Sequence, residues 1–501
     1  MTPNLYTLFA ANFPADRTTC CIETHDGDHY SWDDIDRASA KIANLLVKLE
    51  LPRQSRIAVQ VEKSAEAVIL YLATIRAGFV YVPLNTAYRA GEVGYFFDDA
   101  QPALVVCSPE NFGWVSKLAF QSGTQHVLTL GERRHGSLLE RAAALPESFD
   151  TVAVAPDDLA ALLYTSGTTG RSKGAMLTHD NLASNAQVLK KYWQWQPDDV
   201  LLHALPLFHI HGLFVACHGA LLNGSKMIFL PKFESTEVIR RLPQATVFMG
   251  VPTFYVRLLA DPAFDRNVCR TIRVFISGSA PMLLDTFREF HARTGHAILE
   301  RYGMSETAML TSNPYDGERV GGTVGFALPG VTVRVTNPEG RECAVDEIGA
   351  IQVMGPNVFK GYWRMPEKTA QEFTADGYFI TGDVGCVDAK GYLSIVGRSK
   401  DLIISGGYNI YPKELESFID ELDGVNESAV IGVPHPDFGE AVIAIVVPEK
   451  NAALCEADMI TLMKSRIANF KVPKKIHFVD ELPRNTMSKV QKNLLRERFS
   501  K

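Results

Sequence analysis

Leu163-Tyr164-Thr165-Ser166-Gly167-Thr168-Thr169-Gly170-Arg171-Ser172-Lys173-Gly174 sets an apolar run against a loop of hydroxyls, glycines and cations. Such a loop suits a polyphosphate. Glycines let backbone N–H groups approach the oxygens, the hydroxyls of Thr165, Ser166, Thr168 and Thr169 donate to them, and Lys173 or Arg171 supplies charge. It is not a Walker loop, because the GxxxxGK[ST] spacing fails. On either side of it the chain alternates short β-branched runs with helical patterns. Ile57-Ala58-Val59-Gln60-Val61 is followed by a helix over 64–77, then by Tyr81-Val82 and Ala103-Leu104-Val105-Val106. The same βαβ grammar returns at 245–249 and 273–276, the latter followed by Ser277-Gly278-Ser279-Ala280-Pro281 and an amphipathic run, with Pro281 suited to a first helical turn. Open parallel sheets hold ligands beyond the carboxyl ends of their strands, so both glycine-containing loops are candidate site walls.

From residue 331 the pattern changes to short alternating strands, Val331-Thr332-Val333-Arg334-Val335 and Ala350-Ile351-Gln352-Val353, which predict a small antiparallel β element. After Gly397 comes a tail of about 100 residues, large enough to fold alone. It carries a helix from Pro412 that stops near Gly424, strands over 428–433 and 441–447, and a helix over 458–470.

At 501 residues the chain exceeds one ordinary core and should divide into at least two folding units. A net charge of −7 leaves no electrostatic footprint for nucleic acid or an anionic membrane. The longest apolar stretch, over 68–75, falls well short of the ~20 residues needed to span a bilayer, and the first twenty residues lack an export signal. The cytosol is the expected compartment. Eight cysteines (20, 21, 107, 217, 269, 343, 386 and 455) stand without metal-ligand spacing and read as reduced thiols.

The phosphate loop resembles the signature of the adenylate-forming superfamily of acyl-CoA synthetases, peptide-synthetase adenylation domains and luciferases. Further motifs agree in the family's order: Gly278-Ser279-Ala280-Pro281, Arg301-Tyr302-Gly303-Met304-Ser305-Glu306, Tyr378-Phe379-Ile380-Thr381-Gly382-Asp383, Gly397-Arg398-Ser399-Lys400-Asp401 leading into Ser405-Gly406-Gly407, and Leu482-Pro483-Arg484-Asn485-Thr486-Met487-Ser488-Lys489. One departure is Ser488, where the family usually has glycine before the lysine.

The resemblance implies an α/β fold. A large N-terminal domain (1–398), with two doubly wound sheets and a small β element, would bind ATP and the acid. A hinge (399–401) would join it to a mobile α+β domain (402–501) carrying the catalytic lysine. It implies ATP, Mg2+ and coenzyme A as reaction partners. Adenylation is attack by a carboxylate on the α-phosphate of ATP, so alignment and charge neutralisation replace a general base. Lys489 would bridge the incoming carboxylate and the α-phosphate. Glu306 would hold Mg2+, which prefers one or two protein oxygens. Residues 165–170, with Lys173, would cradle the phosphates, and Ser279, Ala280, Pro281, Tyr302, Gly303, Met304 and Ser305 would line the adenine site with Tyr302 stacked on the base. Asp383 would accept the ribose hydroxyls, Arg398 would assist, Lys400 would be the hinge, and Gly406 and Gly407 would face the pantetheine channel.

The acid is suggested by two further segments. Pro206-Leu207-Phe208-His209-Ile210-His211-Gly212-Leu213 resembles the family's pocket segment with an added histidine, and Val251-Pro252-Thr253-Phe254-Tyr255-Val256-Arg257 puts an arginine on a following helix. Arg grips a carboxylate bidentately and His adds a donor. Together with Arg171 and residues 304–317, these look like the malonyl-CoA synthetases. The resemblance implies malonate, with methylmalonate open, held by Arg257, with His211 or His209 assisting and Ser277 lining the pocket. Two other ligase readings are a medium-chain or aryl acid:CoA ligase, against which the polar pocket residues argue, and a carrier-dependent adenylation module, weakened by the lack of a carrier segment after Lys501. A non-catalytic binding protein would be expected to have lost Lys489 or Glu306. Oligomeric state is not legible.

Overall fold

The computed structural model describes residues 4–165, 172–405, 408–435, 439–485 and 489–500. Two large sheets form the body of the chain. In the six-stranded sheet the order is His126–Thr129, Leu104–Cys107, Arg56–Gln60, Val80–Pro83, Leu159–Tyr164 and Gly174–Thr178. All neighbours are parallel except the last pair. The stretches that flank the phosphate-loop motif therefore pair as antiparallel strands.

The second sheet has nine strands. Leu299–Met304, Val274–Ser277, Val247–Gly250, Val200–His203, Lys226–Phe229 and Cys20–Thr24 run parallel, with antiparallel strands added at both edges. Its edge at Cys20–Thr24 and His29–Ser31 comes from the start of the chain, a pairing no local pattern announces. Because Leu299–Met304 continues into the antiparallel Ala308–Ser312, the Arg301–Glu306 motif lies on a strand and the tight turn after it. Ala308 takes a positive φ of 49° there.

Between the sheets runs the helix Ala65–Arg76, buried at every residue. Ser64 caps it by accepting the Ala67 N–H at 3.1 Å. A helix with apolar residues on every side of its axis must be enclosed, and Tyr71 shows how. Its ring lies 5.1 Å from Tyr81 of the six-stranded sheet and 5.6 Å from Phe214, and its hydroxyl is 2.7 Å from His218 Nε2, so one side chain touches the material of both layers.

The small β element is a four-stranded antiparallel sheet of Thr332–Thr336, Gly349–Met354, Phe379–Val387 and Leu393–Arg398. Residues from 403 onward build a separate sheet, with Gly439–Pro448 between Val425–His435 and the parallel edge Lys475–Phe478. The helices Pro412–Asp420 and Glu456–Arg466 bury Leu415, Ile419, Met459 and Met463 in a core of this unit's own. Two expectations are corrected. The helix after the Gly278 loop starts at Leu284, so Pro281 sits in extended chain before it, and the last predicted helix ends at Arg466 rather than 470.

Candidate functional site

Three loops converge beyond the strand ends. At the neck of the phosphate loop the Thr165 N–H donates to the Lys173 carbonyl at 2.9 Å, and the Tyr95 hydroxyl donates to the Ser172 carbonyl at 2.6 Å. Lys173 Nζ stands 4.2 Å over the Tyr362 ring and 3.7 Å from Glu372. Ser166, Gly167, Thr168, Thr169, Gly170 and Arg171 lie outside the described residues, as do Gly406 and Gly407.

Glu306 is 6% exposed and accepts from the Tyr362 hydroxyl at 3.0 Å. Burial raises its pKa, so its ionised form calls for a cation. Among the described residues no three His, Cys, Asp or Glu side chains group as a metal site. A lone buried carboxylate beside a phosphate loop fits Mg2+, which takes its other ligands from phosphate and water.

Asp383 is also buried. Its two oxygens are taken by the Tyr302 hydroxyl, in a very short contact, and by Arg398 Nε at 2.7 Å. Tyr302 is therefore anchored through its hydroxyl to the carboxylate predicted to bind ribose, a tie that the sequence did not suggest. Gly303 is required by a close approach, since a Cβ there would lie 2.0 Å from the Ala308 carbonyl oxygen. Ser279 holds a positive φ of 71°, an uncommon conformation for serine. Ala280 is half-buried and Pro281 exposed, while Met304 and Ser305 are half-buried at the hairpin tip.

Lys489 reaches the same place from the C-terminal unit. Its backbone N–H donates to Asn485 Oδ1 at 2.9 Å, and its ammonium stands in the field of Arg398, Asp383, Glu306 and Arg301. Burial is the main cause of its lowered pKa. Next to the predicted hinge, the chain is tied on one side by the Arg398–Asp383 pair and on the other by Arg496 donating to Asp401 at 2.8 Å. Ser399 and Lys400 lie between those ties, and burial lowers the Lys400 pKa to about 8.

The acid pocket departs from expectation at one residue. Arg257 is exposed on the outer face of the helix Pro252–Leu259, lining a surface groove with Phe233, Glu234, Ser235 and Thr236. The helix starts at the sheet edge, but its inward residues are Tyr255, Leu258 and Leu259, and position 257 turns to solvent. The structure does not bring Arg257 together with the buried groups of the site. The buried guanidinium belongs to Arg301, 3% exposed, whose Nε and one terminal nitrogen have no hydrogen-bond partner among the described residues. Burial lowers its pKa to about 9, which leaves it a cation at neutral pH. His211 Nε2, on a residue 1% exposed, is unpartnered too and lies in the field of Arg301, while the equally buried and unpartnered Ser277 Oγ sits on the neighbouring strand in register with Glu300.

His211 opens a π-helical segment, His211–Cys217, with its Nδ1 3.4 Å from Ser279 Oγ. The turn before it is set by Gly212, where a Cβ would strike the Pro206 carbonyl oxygen at 2.0 Å, and by His203 Nε2, which donates to the Gly212 carbonyl at 2.9 Å. Burial and the charges of Lys489 and Arg301 push the His209 pKa to about 3, and burial beside Arg301 drives His211 well down, so both rings are neutral. Gly278 exists for Arg301: an added Cβ would lie 2.5 Å from its guanidinium carbon. In the sequence Arg301 stands only as one residue of a motif. The signal that finds it is an arginine inside a buried strand, where charge is expensive unless something anionic meets it.

The profile of AMP-binding enzymes matches residues 8–363, and that of their C-terminal domain matches residues 414–489. The chain belongs to the AMP-binding enzyme family. Among solved structures it is similar to ATP-bound MatB from Rhodopseudomonas palustris, at 56% identity over 99% of each chain with a TM-score of 0.96. To apo MatB from the same organism, at 55% identity and the same coverage, the TM-score is 0.86. It is also 34% identical to a malonate–CoA ligase of Arabidopsis thaliana, over 94% of this chain and 85% of that protein. As a member of this family it is an AMP-forming acid–CoA ligase, with ATP and coenzyme A as substrates. Among the described residues, no helix is long and apolar enough to cross a membrane.

Proposed function

We propose that this chain ligates malonate to coenzyme A through malonyl-adenylate. The observation that carries the reading is a pair of unpartnered buried groups, Arg301 and His211, with Arg301 also in the field of Lys489. They offer a cation and a neutral imidazole. A monocarboxylate with an apolar tail would leave Arg301 buried and unpaired, whereas a short dicarboxylate satisfies it with one end and presents the other to ATP.

In the first step one carboxylate oxygen of malonate attacks the α-phosphorus, and the bond to the bridging oxygen of pyrophosphate breaks. Lys489 holds the attacking carboxylate and the α-phosphate together, Asp383 accepts the ribose hydroxyls, and Thr165, Lys173 and their loop hold the released phosphates. Glu306 would hold Mg2+, which when bound neutralises charge on the phosphates. In the second step the coenzyme A sulfur attacks the acyl carbon, AMP leaves, and the thiol proton passes to solvent. The neutral His209 and His211 suit a pocket that must bind an anion without exchanging protons with it.

The second step has a different nucleophile, and we assign the change of partner to rotation of residues 402–501 about Ser399 and Lys400. The ties at Asp383 and Asp401, on either side of Ser399 and Lys400, support a torsional change there. The higher TM-score to the ATP-bound relative agrees with an arrangement in which Lys489 faces the phosphates. The test is AMP release that depends on both coenzyme A and the acid, measured over a panel of malonate, methylmalonate, succinate, acetate, propionate and benzoate. Malonate should lead, and turnover led by a monocarboxylate would refute the assignment.

A further inference from the structure

Lys489 acts as a point charge on a long flexible stem, so its loop must be fixed by something other than itself. The loop has a layered anchorage. At the neck, the Asn485 N–H donates to the Lys489 carbonyl at 2.9 Å while Asn485 Oδ1 accepts the Lys489 N–H at 2.9 Å. One step out, Arg484 and Val490 pair as an isolated antiparallel bridge, and the Gln491 N–H donates to the Pro483 carbonyl at 2.8 Å. At the base, both stems end in ion pairs with the body of the C-terminal unit: Arg484 with Glu427, and Lys492 Nζ with Glu416 Oε1 at 2.5 Å.

The two base pairs are not equivalent. Arg484 and Glu427 keep 33% and 25% of their side chains exposed, and a pair so wet adds little. Lys492 and Glu416 keep only 17% and 10%. The same Glu416 oxygen also accepts the Val430 N–H at 2.8 Å, so its position is set by the strand Val425–His435 before Lys492 arrives. Glu416 itself comes from the helix Pro412–Asp420, which packs on that strand. A rigid helix–strand corner thus presents one carboxylate oxygen to the cation three residues beyond Lys489. The stems also pack on this unit through Leu482 and Val490, apolar contacts that lack the direction of a buried ion pair.

We propose that Glu416, acting through Lys492, is the positioning residue that aims the Lys489 loop into the ATP site. The inference rests on the reading that Lys489 serves adenylation. Its consequence is confined to one half-reaction, because once the C-terminal unit has rotated, Lys489 no longer faces the reacting atoms. Loss of the buried pair lets the loop shift while leaving the sheet and its core intact. A misplacement near 1 Å costs on the order of 100-fold in an aligned reaction, so an effect of tenfold or more is expected on adenylation alone.

The test uses the full chain carrying Glu416→Gln, Lys492→Met or Lys492→Arg, with Lys489→Ala as reference. Glu416→Gln keeps an acceptor for the Val430 N–H, and Lys492→Met keeps the length of the stem, so each removes the ion pair with little else. Malonate-dependent pyrophosphate exchange reads the first half-reaction, and thioester formation from supplied malonyl-adenylate and coenzyme A reads the second. Glu416→Gln and Lys492→Met should lower the exchange kcat at least tenfold with the ATP KM within twofold, spare thioester formation, and be matched by near-normal exchange in Lys492→Arg. Equal loss of both half-reactions, or unchanged exchange, overturns the positioning role. If Lys489→Ala itself keeps the exchange, the role of Lys489 falls, and this inference falls with it.

Discussion

Replacing Arg301 by methionine should have opposite effects on the free protein and on catalysis. In the free protein the guanidinium is buried with two unpartnered nitrogens, and its pKa of about 9 reflects a cation held where water would hold it better. Methionine removes that cost and fills most of the volume, so the ligand-free variant should melt at a higher temperature than the parent. With malonate the sign reverses. The distal carboxylate would enter a pocket that has lost its cation, and breaking a buried pair from one side costs about 3–5 kcal/mol. At about 1.4 kcal/mol per tenfold, kcat/KM for malonate should fall roughly 100- to 4,000-fold. Propionate, which has a methyl where malonate has the carboxylate, should be used at least as well by the variant as by the parent. The assay is coupled AMP release with each acid in parallel, together with a thermal melt with and without malonate. Equal losses with malonate and propionate would show that Arg301 supports the fold or the nucleotide instead. Full retention of malonate use would remove it from the pocket.

Four further outcomes follow from the same geometry. Arg257→Leu, on the exposed face, should change malonate kcat/KM by less than about twofold, measured in the same assay. Lys489→Ala should lose malonyl-adenylate formation by at least about 100-fold while still converting supplied malonyl-adenylate to thioester; because burial lowers its pKa, the alkaline limb of adenylation should fall below the ordinary lysine range and vanish in the variant. Since His209 and His211 are neutral, with their pKa values pressed far below the ordinary histidine value, the malonate KM should stay flat between about pH 6 and pH 8, and a step near 6.5 in initial-rate data would contradict this. Lys400→Pro should spare pyrophosphate exchange and abolish ligation to coenzyme A, and undiminished ligation would rule out the hinge.

The reach of the sequence can be judged from particular residues. The helix over 64–77 and the strands beside it were legible because an apolar run bounded by Ser64 and Gly78 has few other solutions, and the structure returns them within a residue. The pairing of Cys20–Thr24 with Lys226–Phe229 was not legible, since it joins segments two hundred residues apart and depends on the assembled sheet. In the site, Glu306, Asp383, Arg398 and Lys489 gather as expected because each sits in a motif with fixed spacing. Arg257 lies apart from these groups for a geometric reason. Helical position decides which way a side chain points, and one residue separates the buried Leu258 from the exposed arginine. Arg301 was passed over because a strand's alternation says which face a residue takes, not what waits there.

The enclosed helix Ala65–Arg76 constrains the order in which this protein can be made. It leaves the ribosome early, but part of its cover, including Phe214 and His218, is synthesised about 140 residues later. At 5–20 residues per second, a largely apolar segment waits on the order of ten seconds without its partner. That interval is long against hydrophobic collapse, and during it the nascent chain presents a surface that chaperones bind. Expression yield should therefore respond to chaperone supply more strongly than the stability of the finished enzyme would suggest.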